Sequence, residues 1–136
     1  MKLEQREILF RGQLVDNKQW IYGLSWRSQE GFIAVASSPY SVAQSALVIC
    51  ETVTQYTGLK DCKGQKIFEG DILALRHDEM GSPIVDSFKG VVTFRMGMFV
   101  CDNQKDRDHP VAQEIAEWVV VGNIFDSPEF LDKEQK

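Results

Sequence analysis

His77 and Asp78, together with Asp106, Asp108 and His109, are the residue types in this chain most suited to holding a metal ion. Imidazole and carboxylate suit zinc or manganese, and two loops brought side by side would supply enough donors. Their spacing follows no ligand rule, and charged loops are normally solvated. The expectation is therefore two exposed loops, with no metal and no other cofactor. Glu69 and Asp71 flank Gly70 and raise the question of general acid–base work. Such a pair must lie on either side of a reacting bond, with one carboxyl pushed up by burial. Residues at i and i+2 of a strand share a face, but a Gly between them interrupts that geometry. These carboxylates are expected to cap a turn by accepting backbone amides. Cys62 has Lys60 and Lys63 as its only nearby cations and no His close in sequence, so it reads as an oxidisable surface thiol and not a nucleophile. Ser37, Ser38 and Ser41 stand in no nucleophile elbow. The stretch from Gly58 to Gly64 contains Asp61 and opens no helix, so it makes no phosphate cradle. No catalytic residue is assigned.

Binding chemistry is the next possibility. Arg11, Lys18, Lys60, Lys63, Lys66, Arg76, Lys89 and Arg95 would make a cationic stripe if they shared a face with Trp20, Tyr22 and Tyr56. Cations beside aromatic platforms take single-stranded nucleic acid by stacking. Arg11, Lys60, Lys63 and Lys66 are the candidate contacts. Against this, the net charge is −5 and the pI about 5.0, which opposes broad binding to a phosphate backbone. The aromatic residues also alternate with apolar neighbours, which favours their use in a core. Nucleic acid is thus the alternative reading and not the leading one.

The elements that must position these residues are short. With 136 residues, 43% hydrophobic and 26% charged, the chain suits one domain or two small lobes. It has no run of about 18 apolar residues, so no helix is expected to span a membrane. Its charged start, Met1 to Glu7, does not read as a secretory signal. Cys50, Cys62 and Cys101 are odd in number and widely spaced, which suits a reducing cytoplasm. Cys50 and Cys101, inside apolar runs, are expected in the core, and Cys62 on a turn at the surface.

Ile8 to Val15 reads as a strand, Asp16-Asn17-Lys18 as its turn and Gln19 to Leu24 as the return. Phe32 to Ala36 and Leu47 to Cys50 are further β-rich runs, separated by a loop that contains Pro39. From Thr54 to Leu73 two extended segments meet at Asp61-Cys62-Lys63-Gly64, and Glu69-Gly70-Asp71 leads into another strand. An Asp opens such a turn by bonding amides two residues on, and a Gly closes it with positive φ. Gly90 to Arg95, a tight turn at Met96-Gly97, and Met98 to Cys101 form a hairpin. Pro110 is expected in the first turn of a short helix that puts Val111, Ile115 and Trp118 on one face. Trp118 to Phe125 is a β-branched final strand, and Ser127-Pro128-Glu129 starts a terminal helical turn.

Taken in order, Arg6-Glu7-Ile8, Phe10-Arg11-Gly12, Trp20 to Gly23, Gln55-Tyr56-Thr57-Gly58-Leu59-Lys60-Asp61, Gly64, Ile67 to Ile72, Gly90-Val91-Val92 and Gly122 to Glu129 resemble the YopX family of phage and prophage proteins. The central Tyr-Thr-Gly-Leu-Lys-Asp block is the most specific part. The resemblance implies a phage or prophage origin in a bacterium, an α+β fold with an SH3-like second part, and self-association. It implies no activity, because the family is functionally uncharacterised. Cys62-Lys63 departs from the Lys-Asn pair more common before Gly64. Loss of Asn disfavours a tight two-residue turn there, but Asp61 and Gly64 remain.

The expected fold is therefore α+β and β-rich. It has an N-terminal antiparallel lobe over residues 1–58, a connecting hairpin over 59–70, and an SH3-like small barrel with short helical turns over 71–136. The structural motif comprises Tyr56, Gly58, Asp61, Gly64, Phe68, Gly70 and Asp71. The expected role is a non-enzymatic interaction or assembly module. It would be a homo-oligomer in the cytoplasm of a bacterial host, meeting an unidentified phage or host protein and no membrane.

Overall fold

The computed structural model describes residues 6–29, 32–36, 46–75, 89–103, 107–112 and 117–129. The chain divides into two compact units, Met1–Gly58 and Leu59–Lys136.

In the first unit, β1 (Phe10–Gln13) pairs antiparallel with β2 (Trp20–Gly23), with Arg11 opposite Tyr22 and Gln13 opposite Trp20. The Asp16-Asn17-Lys18 turn joins them: the Asn17 side chain accepts the Gln19 N–H at 2.9 Å, and Lys18 takes the left-handed φ of 60°. On its other edge β1 meets the start of β6 (Thr54–Lys60), with Phe10 opposite Gln55. A second antiparallel sheet has the order β3 (Ser25–Gln29), β4 (Phe32–Ala36), β5 (Ala46–Val48). β3 has no counterpart among the expected strands, because its polar Ser-Trp-Arg-Ser-Gln run lacks an apolar alternation. Val48 is buried against Leu14, Ile21 and Val53. Cys50, expected in this core, is exposed. It begins a 3₁₀ turn, Cys50–Thr52, so the strand alternation that would bury it stops before it. That turn buries Thr52 instead, whose hydroxyl accepts the Gln13 N–H at 2.9 Å.

The second unit is built on an antiparallel sheet of five strands. In spatial order these are β11 (His109–Pro110), β10 (Met98–Asp102), β9 (Lys89–Arg95), β8 (Asp71–Leu75) and β12 (Trp118–Asn123). β7 (Lys66–Phe68) lies beside β6. Ile67, Leu73, Val92, Cys101, Val111 and Trp118 make the core. Trp118 is wholly buried, and its indole N–H donates to the Val111 carbonyl at 2.9 Å, so the ring's polar end is satisfied.

The expectation of a helix start at Pro110 is corrected by the structure. His109 and Pro110 do not open a helix; they pair with Cys101 and Val100 as a short edge strand. Proline fits there because an edge strand can spare an N–H. Helical backbone begins after them, at Val111 and Ala112, and Ile115 lies outside the described residues. The fold is β-rich with antiparallel sheets, and no closed barrel is found among the described residues.

Candidate functional site

Asp61 organises the best-defined polar cluster of the second unit. It is 6% exposed, and its carboxylate serves backbone N–H groups only, among the bonds resolved. Oδ1 accepts from Lys63 and Gln65, each at 2.9 Å. Oδ2 accepts from Val120 at 3.0 Å, where β12 slips register between Val120 and Gly122. The Asp61 N–H donates to the Gln65 carbonyl, and the Gly64 N–H to the Asp61 carbonyl, which closes the turn. The Cys62 N–H reaches the Trp118 carbonyl at 2.9 Å. A carboxylate whose lone pairs face amides in this way holds a fold together.

Asp71 does a similar job on a smaller scale. It is buried, and its Oδ2 accepts the Phe68 N–H at 2.8 Å across the Glu69-Gly70 turn. Gly70 has φ of 84° and is bonded on both sides, its N–H to Val92 and its carbonyl to the Ile124 N–H. A Cβ added there would lie 3.0 Å from the Phe125 ring. Tyr56 is buried in β6, with its N–H on the Leu9 carbonyl; Phe68 is buried; Gly58 is exposed.

The cations proposed for nucleic acid fare differently from one another. Arg11 is 6% exposed, with its guanidinium 4.4 Å from the Trp20 ring centroid and its Nε 3.4 Å from the Thr54 hydroxyl. It is engaged as a cation–π partner on the sheet, diagonal to Trp20 across the β1–β2 pair. Lys18, Lys60 and Lys63 are exposed, Lys66 and Lys89 half-buried. Arg76 lies outside the described residues, as do His77, Asp78 and Asp106 of the considered metal set. Asp108 is exposed and paired with Arg95, and His109 sets its ring edge-on against Trp118 at 5.7 Å. Among the described residues, no group of three or more His, Cys, Asp and Glu is placed to hold a metal. Cys101 is buried and Cys62 half-buried.

Sequence reasoning finds the Met96-Gly97 turn but misses the apolar exposure at the tip of the β9–β10 hairpin. Met96 and Gly97 have φ of 53° and 80°, and Arg95 pairs with Met98, which defines a two-residue turn of the primed kind. Phe94, Met96 and Met98 are 55%, 72% and 39% exposed. Phe94 meets Phe99 edge-on at 5.1 Å, so its ring is braced although half in water. The charge beside them is taken up locally: Arg95 donates to Asp102 and to Asp108, each at 2.9 Å, and to the Arg107 carbonyl. Hydrogen bonding to Asp102, then to Asp108, pushes the Arg95 guanidinium above its ordinary range. The only available signal was an apolar residue at a turn position where Asn, Asp or Gly would be normal.

These features define a β-rich protein of antiparallel sheets. The Asp61 and Asp71 carboxylates accept backbone amides, and among the described residues the two most exposed large apolar side chains, Met96 and Phe94, lie at one hairpin tip. The chain belongs to the YopX family: the family model, described as YopX protein, matches residues 4–132. No protein with a curated description matches it. Among solved structures, protein EF1440 from Enterococcus faecalis is similar, with a TM-score of 0.56 and 20% sequence identity, covering 93% of this chain and 99% of that one. At that identity the likeness concerns the fold alone.

Proposed function

We propose that this YopX-family chain is a non-enzymatic interaction or assembly module. It acts in the cytoplasm of a bacterial host, in a phage or prophage setting, by self-association and by contact with a phage or host protein. The lobe from Asp71 onward is read as SH3-like, with the hairpin over 59–70 as its connection to the N-terminal lobe.

The observation that carries the reading is Met96. A left-handed backbone costs a residue with a side chain roughly 1–2 kcal/mol, and the turn would accept Asn or Gly without that cost. Met96 is nevertheless 72% exposed, so burial within the fold does not offset the strain. Strain at such a position motivates a functional reading. Methionine is an adaptable contact residue, and exposed Phe94 and Met98 flank it on opposite faces of the hairpin, since Phe94 pairs with Phe99 and Met98 with Arg95. Because Arg95 is held by Asp102 and Asp108, the tip offers apolar contact and little free charge.

A second reading, an accessory protein for single-stranded nucleic acid, draws on exposed Lys60 and Lys63 and half-buried Lys66, which flank one hairpin. It loses Arg11, which is buried against Trp20. Light scattering across a concentration series tests the first reading: the native chain is expected above monomer mass, and Phe94→Ser/Met96→Ser/Met98→Ser close to it. A native monomer at every concentration overturns it. A salt-sensitive gel shift with single-stranded DNA, abolished by Lys60→Glu/Lys63→Glu, would favour the second.

A further inference from the structure

We propose that the Asp61 turn is an autoinhibitory cap on a strand-addition site, and that the occupant it excludes is the β12 strand of a second copy of this chain.

Among the described residues, β12 is the last strand of its sheet. It pairs with β8 through a register that sets Trp118 opposite Leu75, Val119 opposite Ala74 and Val120 opposite Leu73. Backbone groups of successive residues point to opposite edges, so those of Trp118 and Val120 share one edge and those of Val119 the other. The Trp118 carbonyl and the Val120 N–H both meet the Asp61 turn, through Cys62 N–H at 2.9 Å and Asp61 Oδ2 at 3.0 Å. These are successive hydrogen-bonding positions that an added strand would use. The turn occupies them with one amide and one carboxylate oxygen in place of a ladder.

The strand behind the cap has the composition that makes an edge hazardous. Trp118-Val119-Val120-Val121 is β-branched and aromatic, uncharged and free of proline. Two further devices act on the same edge. The register slip between Val120 and Gly122 bends it, and the exposed Lys60 and Lys63 sit on the capping turn. Removing the Asp61 carboxylate leaves an outward N–H at Val120, which the carbonyl of a second β12 can take. Antiparallel pairing of two identical edges closes as a two-fold dimer.

Sedimentation velocity over a concentration series, with hydrogen exchange on the same samples, tests this in the full chain. Asp61→Ala is expected to associate at least about tenfold more tightly than the native protein, with protection of the Trp118–Val121 amides rising as concentration rises. Val120→Pro in that background removes the outward donor while leaving the side toward β8 intact, and should restore native association. If Asp61→Ala does not fold, Asp61→Ser carries the same comparison, because its single hydroxyl serves the turn amide two residues on and leaves the Val120 N–H without the carboxylate. A folded Asp61 variant that associates no more than native overturns the proposal, as does association that survives Val120→Pro. This edge is independent of the hairpin tip: Phe94→Ser/Met96→Ser/Met98→Ser should not weaken the association released by Asp61→Ala, so failure of either proposal is seen separately.

Discussion

Asp61 and Val120 stand 59 residues apart in sequence, yet the carboxylate of one accepts the N–H of the other at 3.0 Å. The same carboxylate holds the turn from Asp61 to Gln65 through two more amides. A local turn and a distant strand bulge therefore depend on one side chain.

Asp61→Ala should lower the unfolding free energy by about 2–4 kcal/mol, the range for removing charged hydrogen bonds and leaving a buried donor unmet. Chemical denaturation at neutral pH measures it. Asp61→Asn should lose less, because one amide oxygen still accepts. Losses near zero for both would mean that the bonds contribute little.

Gly70→Ala should cost more than Gly64→Ala. Both glycines have φ of 84°, so both substitutions meet the left-handed penalty of roughly 1–2 kcal/mol. An added Cβ at Gly64 meets open space, whereas at Gly70 it lies 3.0 Å from the Phe125 ring. Thermal melts of the two variants should separate by several degrees, and Gly70→Ala/Phe125→Leu should recover part of the gap.

Tyr56→Ala and Phe68→Ala should each cost about 3–5 kcal/mol, since both side chains are buried and a smaller residue leaves a cavity. An unchanged melting midpoint for both variants would contradict their place in the core.

Local chemistry was legible in the sequence and distant partners were not. The Asp61 turn could be read because an Asp bonding an amide two residues on, followed by Gly, is a local arrangement; the Lys63 N–H is indeed its partner. The bond to Val120 had no local sign. The Met96-Gly97 turn was visible, but its exposure depends on how far the hairpin projects beyond the core residues Val92 and Cys101. The fixed φ of Pro110 suits a helix start, but its pairing with Val100 prevails. Arg11 looked like a free cation because the sequence does not show that Trp20 will lie diagonally across the hairpin from it. Cys101 was placed correctly in the core from its apolar run; Cys50 was not, because its run ends in a 3₁₀ turn.

The most direct test of the account pairs a melt with a mass for Met96→Asn. Asparagine suits the left-handed turn position and should raise stability by about 0.5–1 kcal/mol. It also removes the most exposed apolar side chain of the tip. The expected result is a higher melting midpoint together with weaker self-association by light scattering. A higher midpoint with undiminished association would contradict the claim that the hairpin tip is the contact surface.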